Sequence, residues 1–202
     1  HKQEHRVWID EATNEPGTGD AVDFWTGAGH PHSSSLGINT GKLGKGNRWK
    51  TLLPPRLEPP CQHFRGPGSS PVLFENLLVL TFDGIDRQFT IALDKKTGTT
   101  VWQTPRSTNY GDLDKDGQPT REGDLRKAYG TPTLAKVGDA TQIVSVGSRA
   151  AFGYDGRTGK EIWTVTHGGY NAAVRPLVKG DTVFMNTGSP GGHLVALRID
   201  AG

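Results

Sequence analysis

Apolar residues occur along this chain in short runs separated by turn-forming residues, a pattern that predicts strands rather than helices. The runs Leu77–Phe82 and Ile143–Val146 have the length of a strand buried on both faces. Two sets of four strands are predicted, over 71–74, 77–82, 88–93 and 100–104, and over 132–136, 142–147, 150–154 and 161–166. Turn residues separate the strands within each set, so each set is predicted to form an antiparallel meander.

One motif recurs at the end of each set. The segments Ala92–Trp102 and Gly153–Trp163 both follow small-x-Asp-x-x-Thr-Gly-x-x-aliphatic-Trp, and every matched position is 61 residues apart. Because Asp accepts local backbone hydrogen bonds and Gly adopts positive φ, the motif predicts a hairpin. The tryptophan that follows is expected to bury its ring between neighbouring repeats.

A third copy of the repeat begins at Arg175-Pro176 and reaches Arg198. Pro132 and Pro176 are 44 residues apart, and four strands at such a period are typical of propeller blades. We predict an all-β fold, a β-propeller of four-stranded antiparallel blades present as a partial ring of about three to four blades. The repeat domain is residues 61–202, with blades at 66–105, 128–167 and 172–202 and an insertion at 106–125, whereas residues 1–60 are a divergent segment or a degenerate blade.

These repeats resemble the tryptophan-docking, PQQ-like repeats of quinoprotein-type β-propellers. The stretches from Cys61 to Leu80 and from Asp124 to Pro132 resemble a bacterial subgroup of that family. The resemblance implies an exported protein, periplasmic or extracellular. It also implies a ring with more blades than this chain holds, which a second copy or another chain would complete.

Composition and charge exclude several functions. The 23 basic and 21 acidic residues are mixed along the chain, so no basic face for nucleic acid is predicted. No apolar run approaches the roughly 20 residues of a membrane helix. Cys61 is the only cysteine, so the adjacent cysteine pair that often covers the cofactor in the quinoprotein relatives cannot form. PQQ binding is therefore not supported.

The insertion contains a candidate Ca²⁺ loop. Three carboxylates alternate before Gly117, at Asp112, Asp114 and Asp116. Alternation places oxygens inside a tight loop, and the Gln118 carbonyl and the Thr120 hydroxyl would follow as ligands. The bidentate glutamate of an EF-hand is missing, because Gly123 occupies its place. The loop predicts a structural Ca²⁺ site, with a solvated acidic turn as the alternative.

Further residues are candidates for binding. His30 with His32, and Cys61 with His63, have the spacing of partial metal pairs, with a polar loop and a packed cysteine as the alternatives. Propeller topology brings the connections between repeats to one face, where a central funnel would collect His63, Arg65, Tyr129, His167, Tyr170 and Arg175.

The sequence is compatible with two functions. One is a non-catalytic binding or scaffold propeller, stabilised by Ca²⁺, that binds a protein, peptide or glycan. The other is an enzyme with its site in the funnel, either a quinoprotein-type oxidoreductase or a metal- or histidine-assisted hydrolase or lyase.

Overall fold

The computed structural model describes residues 68–200, with Glu122 as backbone only, and the backbone of four strands between residues 2 and 52. These four strands form one antiparallel sheet in the order β1-β2-β3-β4, comprising β1 (Lys2–Ile9), β2 (Asp20–His30), β3 (Ser33–Gly41) and β4 (Thr51–Leu52). The sheet occupies the segment for which the sequence predicts a divergent region or a degenerate blade.

Three further antiparallel sheets follow, which we call blades one, two and three. Blade one contains β5 (Val72–Phe74), β6 (Leu77–Asp83), β7 (Gln88–Asp94) and β8 (Thr100–Pro105). Blade two contains β9 (Thr133–Val137), β10 (Ala140–Val146), β11 (Ala150–Asp155) and β12 (Glu161–Thr166). Blade three contains β13 (Leu177–Lys179), β14 (Thr182–Asn186) and β15 (Leu194–Arg198). The predicted all-β fold with four-stranded antiparallel blades is confirmed.

The hairpin between the third and fourth strands forms by the chemistry that the motif predicts. Asp94 Oδ1 accepts the backbone N–H of Lys96 at 2.9 Å and of Thr97 at 2.8 Å. Asp155 Oδ1 accepts the N–H of Arg157 at 3.1 Å and of Thr158 at 2.7 Å. These hydrogen bonds stabilise the ionised carboxyl, so the pKa of each aspartate is lowered, chiefly by the backbone of Thr97 and by the side chain of Thr158, respectively.

Each tryptophan lies opposite a small residue of the neighbouring strand. Ala92 pairs with Trp102 and Gly153 pairs with Trp163, and in both blades the register shifts directly after the small residue. A Cβ on Gly153 would come within 2.1 Å of Trp163 Nε1. The small side chain of the motif is therefore required because the indole lies flat on the backbone at that position.

The core lies between successive blades. Trp102, which is 8% exposed, packs with Phe74, Val79, Phe152 and Tyr154 between blades one and two. A separate cluster joins blade two to blade three. Gly159 of the second hairpin adopts φ +71°, and a Cβ there would approach Trp102 Cε3 to 2.3 Å. Gly159 thus allows the tight turn of its own hairpin and also leaves room for Trp102 of the preceding blade.

Candidate functional site

The connections between blades and the turns between their second and third strands lie on one face. In blade one, Asp83 at the end of β6 pairs with Gln88 at the start of β7, and Phe89 pairs with Pro105 at the end of β8. The chain leaving β8 therefore starts on the face that carries the β6–β7 turn. We call this the connection face; it carries the insertion and the segment 167–176 between blades two and three.

The insertion has its own ordered structure. Residues 112–120 form a tight loop in which Leu113 bridges Pro119, and Thr120 N–H donates to the Asp112 carbonyl at 2.7 Å. A 3-10 helix, Thr120–Arg126, returns the chain toward blade two. Asp114 Oδ1 accepts the N–H groups of Asp116 and Gln118 at 2.8 and 2.9 Å, which closes the loop tip.

A buried ion pair holds the base of this loop. Arg126 Nε and Nη2 donate to the two carboxylate oxygens of Asp112, each at 2.9 Å, and the Asp112 side chain is 1% exposed. The hydrogen bond with Asp112 is the main reason that the pKa of Arg126 is raised. The guanidinium also lies 5.8 Å from the centre of the buried Tyr110 ring. A bidentate pair fixes both distance and orientation, so the loop base is rigid.

The insertion rests on turns of two blades. Arg126 Nη1 donates to the Ile85 carbonyl in the β6–β7 turn at 3.3 Å, and Ser148 Oγ donates to the Leu125 carbonyl at 2.5 Å. Arg149 Nη1 donates to the Tyr110 carbonyl at 3.2 Å. Because Ser148 and Arg149 belong to the β10–β11 turn, the insertion spans blades one and two.

A second buried pair lies directly beneath the start of the insertion. Arg106 Nε and Nη2 donate to the Asp83 carboxylate at 3.0 and 2.9 Å, with side-chain exposures of 1% and 3%. Arg106 also donates to Ser145 Oγ at 2.8 Å and to Tyr154 Oη at 3.2 Å, two fully buried residues of blade two. Its guanidinium carbon lies 4.7 Å from the Phe152 ring centre.

The charge of Arg106 is stabilised by this network. Burial alone opposes the charge, but attraction to Asp83 and hydrogen bonds with Asp83 and Tyr154 outweigh that effect and raise the pKa of the guanidinium. All of its partners lie at the contact between blades one and two, so the pair fixes their relative placement.

The loop tip is exposed, in contrast to its base. Leu113 is 58% exposed, and Asp114, Lys115 and Asp116 around it are exposed as well. Leu113, which follows Asp112 and bridges Pro119, is thus a large apolar side chain exposed on a loop that is anchored by a buried ion pair. Rigid scaffolds that present exposed loops in this way are typical of binding surfaces.

Two of the predicted Ca²⁺ ligands have hydrogen-bond partners within the protein. Both oxygens of Asp112 face Arg126, and one oxygen of Asp114 accepts backbone N–H groups. Within residues 68–200, no group of three or more His, Cys, Asp or Glu side chains is arranged to hold a metal. The Ca²⁺ site stays a prediction of the sequence, and we derive no function from it.

The predicted funnel residues are only partly described. His63 and Arg65 lie outside the described residues, as do His32 and Cys61, and His30 is described by its backbone alone. The remaining four, Tyr129, His167, Tyr170 and Arg175, all lie near the connection face. Tyr129 N–H donates to the Ala172 carbonyl at 2.7 Å, while Tyr170 exchanges two backbone hydrogen bonds with Ser189 of blade three.

The side chains of His167 and Arg175 make hydrogen bonds within the protein. His167 Nδ1 accepts the Gly169 N–H at 3.2 Å, and partial burial lowers the pKa of its imidazole. Arg175 Nε donates to Thr133 Oγ1 at 3.3 Å. The funnel of these six residues stays a prediction.

Sequence reasoning missed the residues that anchor the insertion. Asp83 and Arg106 are 23 positions apart, and Asp112 and Arg126 are 14 apart. One available signal was the charged residue at the end of the largely apolar strand Leu77–Asp83, since a buried charge needs a partner.

The fold and its repeat define a PQQ-like β-propeller. A family model described as outer membrane protein assembly factor BamB matches residues 86–202, and the chain belongs to this family of PQQ-like repeat proteins. No curated protein matches the chain. No helix within the described residues has the length and apolar character needed to cross a membrane.

Solved structures share the fold at low sequence identity. BamB from Moraxella catarrhalis aligns with a TM-score of 0.56 and 16% identity over 96% of this chain and 49% of its own. The quinohemoprotein alcohol dehydrogenase ADHIIG from Pseudomonas putida HK5 aligns with a TM-score of 0.52 and 14% identity over 98% of this chain and 34% of its own. The chain thus spans about half the length of this BamB.

Proposed function

We propose that this chain is a binding and scaffold segment of a β-propeller that docks a protein partner through the insertion 106–125. The observation that carries the proposal is the contrast within the insertion. Its base is fixed by the Arg126–Asp112 pair, while Leu113, the next residue along the loop, is 58% exposed. A loop that is already ordered loses little conformational entropy on binding, and an exposed apolar side chain on it supplies contact area.

The family supports a protein partner rather than a small molecule. Its model and one structural neighbour carry the name BamB, and the model is described as an outer membrane protein assembly factor. We therefore assign the chain a role in outer membrane protein assembly and a location outside the inner membrane. Cell fractionation tests the location: the protein is expected with periplasmic or outer membrane markers, and recovery with cytoplasmic markers would contradict it.

A cell-based substitution test addresses the docking loop. In cells that lack the protein, the wild-type chain within its native polypeptide should restore outer membrane protein levels. Leu113→Asp should restore them poorly, because it places a charge in the proposed contact. Val101→Asp is the matched control, since Val101 is also an exposed aliphatic residue (51%) but lies on the outer strand of blade one. Equal restoration by both variants would refute the role of the insertion.

The enzyme alternative has a separate test. The quinohemoprotein neighbour shares the fold at 14% identity, which keeps a quinoprotein-type oxidoreductase as the second candidate. Purified protein with added PQQ, Ca²⁺, an alcohol or sugar and a dye acceptor should not reduce the dye above the level without protein. Protein-dependent dye reduction would favour the enzyme.

A further inference from the structure

The sequence contains three aspartates that are followed directly by glycine, at Asp83, Asp116 and Asp155. Glycine has no Cβ to shield its amide nitrogen, so this nitrogen can attack the side-chain carboxyl carbon of the preceding aspartate. The N–Cγ bond then forms, the Cγ–OH bond breaks, and water leaves with the amide proton. Water reopens the resulting cyclic imide at either carbonyl, which yields aspartate or isoaspartate without oxidation or reduction. Because the local chemistry is the same at the three pairs, their surroundings decide which of them reacts.

Two of the pairs are held in place by the fold. Both carboxylate oxygens of Asp83 accept N–H groups of Arg106, and the Asp83 side chain is 3% exposed. Asp155 Oδ1 accepts two backbone N–H groups of its own hairpin. A Cβ on Gly156 would come within 2.7 Å of the Phe74 ring, so the backbone there is closely packed. Cyclisation at either pair would first require the ion pair, or the hairpin and its packing, to be broken.

The third pair, Asp116 with Gly117, has a different environment. The Asp116 side chain is 70% exposed and lies 3.9 Å from the ammonium of Lys115, which is 90% exposed. An ion pair between such exposed groups contributes little to stability. A Cβ on Gly117 would meet no atom within 4 Å, so an imide ring has room to form there. At this pair neither a buried ion pair nor close packing opposes cyclisation.

One backbone hydrogen bond must break before the Gly117 nitrogen can react. Gly117 N–H donates to the Asp114 carbonyl at 3.1 Å, which is the longest of the three backbone-to-backbone hydrogen bonds within residues 112–120. The other two are 2.8 and 2.7 Å long. Exposed turns open at low free-energy cost, whereas core strands open only with global unfolding. The reactive nitrogen therefore becomes accessible while the base of the loop and the blades stay folded.

We propose that the fold makes Asp116 a site of spontaneous modification, at which the pair with Gly117 cyclises and hydrolyses to isoaspartate. In the product the main chain runs through the former side-chain carbonyl, which adds one methylene group to the backbone and leaves the former main-chain carboxylate as the branch. Asp114 Oδ1 accepts the N–H groups of Asp116 and Gln118, and the longer backbone shifts these two donors relative to each other. The modification therefore alters the loop that carries Leu113. Because the reaction needs no partner, it does not depend on the docking role of Leu113.

The test follows isoaspartate in the purified protein during prolonged incubation at neutral pH. Peptide mapping by mass spectrometry with electron-transfer fragmentation distinguishes isoaspartate from aspartate, although the two have the same mass. In water enriched in ¹⁸O, hydrolysis of the imide also leaves one ¹⁸O atom in the peptide. We expect at least about tenfold more isoaspartate at position 116 than at position 83 or 155, because only the first pair lies in a turn that opens locally.

Two controls separate the effect of the fold from that of the local sequence. In protein unfolded by guanidinium chloride, all three positions should form isoaspartate at similar rates, because the ion pair and the packing are lost. Asp116→Glu keeps the charge but would have to form a larger, less reactive ring, so it should abolish the signal at position 116.

The proposal is overturned if the folded protein forms no isoaspartate at position 116 while the unfolded protein does, if the three positions react equally in the folded protein, or if the signal persists in Asp116→Glu. Reaction confined to position 116 in the unfolded protein would also overturn it, because the local sequence rather than the fold would then select the site.

Discussion

Removal of the Arg106 guanidinium should destabilise this protein far more than removal of an exposed arginine. The change Arg106→Met keeps a long apolar side chain but leaves the Asp83 carboxylate, 3% exposed, without its bidentate partner. Breaking a buried ion pair from one side costs about 3–5 kcal/mol. For a chain of this size each kcal/mol shifts the midpoint by about 2–4 °C, so we expect the melting temperature to fall by roughly 6–20 °C.

Arg157→Met is the matched control. Arg157 also donates to a carboxylate, that of Glu75, through both Nε and Nη2, but the side chains are 73% and 50% exposed. Exposed pairs contribute about 0–1 kcal/mol. Both variants are measured by urea unfolding and by thermal melting at neutral pH.

A double substitution separates the charge from the packing. Asp83→Leu combined with Arg106→Met removes both charges, and replacing a buried pair with apolar residues is often neutral or stabilising. The double variant should therefore be more stable than Arg106→Met alone. A stabilising role for the buried pair is refuted if Arg106→Met costs no more stability than Arg157→Met, or if the double variant is the least stable of the set.

Three further predictions follow from the hairpins and the insertion. Gly159→Ala should destabilise the protein more than Gly138→Ala, because both glycines have positive φ but only the Gly159 Cβ would meet the Trp102 ring; equal losses in urea unfolding would contradict this. Asp155→Asn should lower the free energy of unfolding at neutral pH, and its difference from wild type should shrink below about pH 4. Folding lowers the pKa of Asp155, so the carboxylate stabilises the folded state above its unfolded-state pKa of about 3.9. This stabilisation is lost as the pH falls through the folded-state pKa, and a difference that does not change with pH would contradict the prediction. Arg126→Met should lower the melting temperature, because the guanidinium donates to both Asp112 oxygens; an unchanged melting temperature would contradict this, and a drop on EDTA that Ca²⁺ reverses would support the calcium prediction.

The blade pattern could be predicted from sequence because its determinants are local. Asp155, Thr158 and Gly159 form one turn within five residues, and Trp163 follows at a fixed distance to meet Gly153. Because these interactions involve residues close in sequence, each copy of the motif forms the same hairpin. Two copies were therefore enough to predict the strands and their pairing.

The insertion could not be predicted in the same way. The sequence did not indicate that Asp112 pairs with a guanidinium 14 residues later, which reaches it only through the return of the 3-10 helix. The Arg106 network depends on residues of the next blade and has no spacing signal. Long-range contacts of this kind are decided by packing rather than by local pattern.

Site-specific cross-linking at Leu113 tests whether the insertion contacts a protein partner in cells. A photoreactive residue is placed at position 113 or, as the control, at position 101, in cells that produce the protein within its native polypeptide, and cross-linked products are identified by mass spectrometry. We predict a discrete product from position 113 that contains a component of the outer membrane protein assembly machinery, and none from position 101. No product at either position, or the same products at both, would contradict a docking role for the insertion.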